Sequence, residues 1–114
     1  PTVAIVESIG ATYNDPALTK RVAATLSKAL GDSNVGAIAP KMGAEDFGAF
    51  GRAGVPAMMF DLGAVEPAKF EKAKASGTPL PSLHSSEWAP DRERTLRTGV
   101  SALTSVALDL LAKK

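Results

Sequence analysis

The stretch over residues 80–88, LPSLHSSEW, carries the only histidine of the chain, His84, between a proline-bounded apolar approach and two serines. Its imidazole is the one side chain here whose ordinary pKa lies near neutral pH. It is therefore the obvious general base or nitrogen ligand for a metal. Ser85 and Ser86 are placed either to bond the backbone or to hold the ring. A zinc site draws three or four ligands from Cys, His and carboxylates. With no cysteine and no second histidine, only carboxylates remain to complete one. His84 alone cannot make a conventional catalytic centre, and as a residue type it is a ligand, a base or a plain turn residue.

A second stretch, MGAEDFGAF over residues 42–50, combines a glycine-led turn with two acids and two aromatics. On pattern it is an acid-capped helix start, with Phe47 and Phe50 packing into the core. The chemical alternative is that backbone N–H groups at this helix start bind an anion such as a substrate carboxylate. Glu45 and Asp46 oppose that unless their side chains point away. Asn14, in ATYND, is either a turn or cap residue or a substrate contact. Met58 and Met59 are packing residues.

These residues need elements to hold them. The β-branched TVAIVES at residues 2–8 predicts a short strand. In DPALTKRVAATLSKALG, Asp15 suits the N-cap, Pro16 the first helical position and Gly31 the stop. Leu18, Val22, Leu26 and Leu30 form its apolar stripe. NVGAIA predicts a second strand, residues 44–54 a short helix, and VPAMMFDLG a strand buried on both faces. A Lys/Pro/Gly-rich connection over residues 64–83 holds a short helix at residues 67–75 and is long enough to have a function of its own. The last helix spans residues 90–112, with Leu96, Val100, Leu103, Ala107 and Leu110 as its apolar face, joined by Val106 and Leu111. The resulting order, β-α-β-α-β-loop-α, is that of an α/β fold.

At 114 residues the chain is one small domain or a piece of something larger, and a start at Pro1 fits a piece. Thirteen basic residues against twelve acidic ones, with no basic stripe, argue against nucleic acid as a partner. No apolar run is long enough to span a membrane. The absence of cysteine excludes disulfides and thiolate chemistry.

Taken in order, ATYND, MGAEDFGAF, GVPAMMFDLG and LPSLHSSEWAPDRERTLRTG resemble the C-terminal segment of the zinc-dependent amidohydrolases, the aminoacylase, hippurate hydrolase and carboxypeptidase G relatives among the metallopeptidases. The likeness runs from about Ala11 to the end. It implies the C-terminal part of a three-layer α/β catalytic domain at residues 11–114. Residues 1–10 would be the last strand of an inserted lid, or dimerisation, domain. It also implies that His84 is the final ligand of a site for two divalent ions, zinc in this family, at about 2.0–2.1 Å from a ring nitrogen. A metal-acidified water, deprotonated by a glutamate base, would then attack an amide carbonyl. Gly43, Glu45, Asp46 and Asn14 would line the substrate side.

Ala44 stands where the family often has serine, and Ala57 where glycine is common. The other ligands and the glutamate base belong to the family's N-terminal half, so no catalytic base is assigned within this chain. The resemblance thus implies a cytoplasmic, homodimeric hydrolase of N-acyl amino acids or related small amides, to which this chain contributes one portion and which it cannot replace alone. The competing reading is a stand-alone, non-catalytic α/β module that binds a partner through residues 64–83.

Overall fold

The computed structural model describes residues 1–4, 8–43 and 45–112. Four helices follow one another: α1 (Pro16–Leu30), α2 (Gly48–Arg52), α3 (Pro67–Ser76) and α4 (Arg92–Leu111). A 3-10 turn at Asp32–Asn34 follows α1.

Local chemistry sets the helix ends. The Asp15 carboxylate accepts from the N–H of Leu18 at 2.7 Å, Pro16 occupies the first turn, and Gly31 leaves the helix at φ 91°. A residue with a Cβ is strained at that angle, so glycine suits the stop. Asp91 caps α4 in the same way, and the Glu66 carboxylate caps α3 by accepting from Ala68 and Lys69. No Cα of α3 comes within 8 Å of another helix. Its ends are fixed locally, with Pro67 at the start and Gly77 in the left-handed conformation at the end.

α1 and α4 lie side by side and antiparallel. Arg21, early in α1, donates from Nε to the Asp109 carboxylate at 2.7 Å, near the end of α4, and its Nη2 reaches the Asp109 carbonyl. The buried core between them is Val22, Leu26 and Ala102, ringed by Leu18, Leu30, Val35, Met58, Phe60 and Val106.

Of the residues expected to seat α4, Val106 packs against the core, but the main stripe stays largely outside it. Leu96, Val100 and Leu103 are 68%, 65% and 62% exposed, while Ala102 is fully buried. Successive helical residues are turned by about 100°, so Leu103 stands well around the helix from Ala102. Small side chains explain the choice. Ala102 lets α1 approach closely, and Gly99 receives the Leu62 side chain, whose Cδ2 lies 3.1 Å from where a Cβ would sit.

The α/β expectation is corrected. Among the described residues every regular element is a helix, and there is no strand or sheet. Residues 2–8 were expected to form the first strand, but residues 5–7 lie outside the described residues and the flanking ones have no regular structure. Residues 34–39 and 55–63, also expected as strands, lack a ladder. The second of these, expected to be buried on both faces, is buried on one: Met58, Phe60, Leu62 and Ala64 turn inward, while Met59, expected to pack, turns outward with Asp61 and Gly63. That alternation has the period of an extended chain. A strand, however, requires a hydrogen-bonded neighbour. Here the two stretches line a shared groove of about 850 Å3, floored by Leu26, Leu30 and Ala102. Beyond the first stretch, the exposed side chains of Lys41 and Asp61 form an ion pair of little energetic weight.

The molecule is correspondingly flat, with extents of 52 × 48 × 21 Å and a Cα radius of gyration of 17.5 Å. A compact chain of this length would have a radius of about 13 Å. No helix among the described residues is long and apolar enough to cross a membrane.

Candidate functional site

Two places carry the residues singled out from the sequence. The first is the turn that holds His84. Ser85 N–H donates to the Ser82 carbonyl at 2.9 Å, and Trp88 N–H donates to the Ser85 carbonyl at 3.1 Å. His84 thus sits exposed in the first of two successive turns. The Ser85 hydroxyl accepts from Glu87 N–H at 3.1 Å, so this serine braces the second turn rather than the ring. Trp88 is half-buried and anchors the end of the loop. Beyond it, Asp91 N–H donates to the Ala64 carbonyl at 2.8 Å, tying the start of α4 to the end of segment 57–64.

The second place gathers residues 10–15, 45–52 and 57–59. The Thr12 hydroxyl donates to the Glu45 carbonyl at 3.2 Å. Arg52 Nη1 donates to the carbonyls of Gly10 and Ala11 at 3.2 and 3.3 Å. Gly48 is buried where these strands of chain cross. A Cβ there would stand 2.6 Å from Thr12 Oγ1 and 2.9 Å from Thr12 Cα, so only glycine fits without a shift. Phe47 and Phe50 are tilted against each other with centroids 5.4 Å apart. Phe47 is half-buried, but Phe50 is 56% exposed and stays out of the core.

The acids do not lie in the first turn of a helix as expected, because α2 begins only at Gly48. Glu45 bends back so that its Oε1 accepts from Phe47 N–H at 3.0 Å. The chain's own carboxylate therefore takes the position in which an anion was considered. Gly43 and Asp46 are exposed at this turn, and Ala44 lies outside the described residues. Asn14 belongs to the same cluster. Its Nδ2 donates to the Met59 carbonyl at 2.7 Å, and its Oδ1 accepts from Met59 N–H at 2.8 Å.

The structure thus brings Asn14 and Glu45 into one neighbourhood through Thr12. Among the described residues no hydrogen bond or ion pair joins His84 to it. Thr12, Gly48 and Arg52 escaped the reading of the sequence. The spacing of Gly48 and Gly51 within GAFGR was the one available signal of a close approach.

Among the described residues, no group of three or more His, Cys, Asp or Glu side chains is arranged to hold a metal ion. A zinc centre needs three or four such donors. These residues therefore do not fit a metal by themselves. His84 offers one exposed donor on a braced turn.

Residues 2–108 match the profile of peptidase family M20/M25/M40. No curated protein and no solved structure matches the chain.

Proposed function

Because the chain belongs to peptidase family M20/M25/M40, a family of metallopeptidases and related hydrolases, we propose that it is part of a metal-dependent amide hydrolase acting on N-acyl amino acids or related small amides. Within that family the reading places it with the aminoacylase, hippurate hydrolase and carboxypeptidase G relatives. The observation that carries the proposal is His84, the sole imidazole of the chain, held exposed on a turn braced by Ser82, Ser85 and Trp88.

In this reading His84 is one ligand of a site for two divalent ions, zinc by the family's habit, completed by residues beyond this chain. Residues 43–47 form a wall on the substrate side, with Gly43, Glu45 and Asp46 facing the substrate and Asn14 behind them. Residues 1–10 are the end of a lid domain through which two copies pair, and residues 11–114 are a portion of the catalytic domain. The compartment is cytoplasmic. No reaction step is assigned to these residues. The general base comes from elsewhere in the enzyme, and the chain alone has no amidase activity.

The flat shape and the three-residue core weigh against a stand-alone module. A self-sufficient domain of this length buries more of its Leu and Val side chains. Dialysis of the complete protein against a chelator provides the test. Hydrolysis of an N-acyl amino acid is expected to fall to background and to return on adding back zinc. Undiminished turnover in protein shown by elemental analysis to be metal-free rules out the metal-dependent reading.

A further inference from the structure

We propose that Asn14 is a positioning residue: its carboxamide stands in for a neighbouring strand and fixes the register of segment 57–64 against the start of α1. Its two polar atoms engage the two main-chain groups of a single residue, Met59, at 2.7 and 2.8 Å. The main chain determines which atom is which, since a carbonyl must face the NH2 group and an N–H must face the oxygen.

This reciprocal pair has the pattern by which two residues in an antiparallel ladder exchange N–H···O bonds. The pattern continues next door. Asp15 N–H donates to the Ala57 carbonyl at 2.8 Å. Residues 57 and 59 present their main-chain groups on the same edge of an extended chain, so Asn14 and Asp15 together make two rungs along that edge. At the far end Asp91 N–H donates to the Ala64 carbonyl at 2.8 Å. Asp15 and Asp91 are the N-caps of α1 and α4. The segment is thus pinned at both ends to helix starts, and the second pin closes the loop that carries His84.

A side chain is needed for this task because the segment has no ladder neighbour among the described residues. Met59 is turned outward and 41% exposed, so side-chain packing does little to hold its main chain. Asn14 acts on substrate only through the segment it holds, and it touches Met59 instead. The consequence for turnover rests on the hydrolase reading. The consequence for the main chain of Met59 does not.

The experiment uses the complete protein with Asn14→Ala and Asn14→Asp, and measures amide exchange at Met59 relative to Val22 within α1. Alanine removes both bonds. A net hydrogen bond of ordinary strength corresponds to about five- to tenfold in a local opening equilibrium. Met59 exchange is therefore expected to rise about five- to tenfold relative to Val22. Aspartate loses the donor and sets a carboxylate oxygen against the Met59 carbonyl, so protection at Met59 is expected to fall as it does with alanine. In turnover of an N-acyl amino acid, both variants should lower kcat and leave KM unchanged.

Met59 exchange that rises no more than that of Val22 in the alanine variant overturns the proposal. So does a raised KM in the aspartate variant with Met59 protection intact, which would make Asn14 a substrate contact. Where alanine prevents folding, the isosteric aspartate variant decides on its own. Where no hydrolysis is found in wild type, the hydrolase reading fails and the exchange measurement still judges the role of Asn14.

Discussion

Replacing His84 by alanine in the complete hydrolase is expected to lower kcat/KM for an N-acyl amino acid by more than about a hundredfold and to leave the protein short of its metal. Loss of a group that merely orients a metal ligand typically costs about 10–100-fold in affinity or activity. Loss of the ligand itself should exceed that. The fold should be indifferent, because the turns around His84 are closed by main-chain bonds of Ser82, Ser85 and Trp88, and the ring is exposed. Exposed substitutions of this kind stay within about 0.5 kcal/mol in stability. Kinetics, elemental analysis and denaturant unfolding of the same preparation separate the effects. Unchanged turnover with full metal occupancy removes His84 from the site.

The largest effect on stability is expected from Leu26→Ala. Leu26 is 5% exposed and forms, with Val22 and Ala102, the buried core between α1 and α4 among the described residues. Truncating a buried leucine costs about 2–5 kcal/mol, depending on how far the site collapses. Leu26 also lines the open groove beside segments 35–38 and 58–63. Its neighbours have room to move in, so the lower part of that range applies. Leu103→Ala provides the contrast. It removes the same side chain from a position 62% exposed and should cost a small fraction as much. Midpoints from urea unfolding of the two variants give the comparison. Equal losses would mean that the α4 stripe is buried in the protein and that the pairing of α1 with α4 is not its dominant core.

The helices were legible because their ends are fixed by chemistry local in sequence. Asp15, Pro16 and Gly31 bracket α1, and Glu66, Pro67 and Gly77 bracket α3 within a residue of the expected bounds. Strands have no such local closure. The apolar run VPAMMFDLG expresses a preference for extended chain, and the alternation from Met58 to Ala64 bears this out. Whether it becomes a strand depends on a neighbour, and none stands beside it among the described residues.

The seating of α4 was misjudged for a related reason. A stripe of leucines at helical spacing marks a face that gains from burial, but it does not say that this chain buries it. Closeness of approach at Ala102 sets which face α1 meets, Gly99 admits Leu62 of segment 57–64 beside it, and the Arg21–Asp109 pair lies along the same contact. At the candidate site, His84 could be singled out because it is unique. The partners of Asn14 and Thr12 could not, since Met59 and Glu45 lie 45 and 33 residues away along the chain.

The most direct test of the central claim is an anomalous difference map at the zinc absorption edge, from crystals of the complete, zinc-loaded protein. A peak about 2.0–2.1 Å from a ring nitrogen of His84 is the result the metal-site reading predicts. Zinc peaks elsewhere in the enzyme, with the His84 ring well resolved and free of any ion, would contradict it.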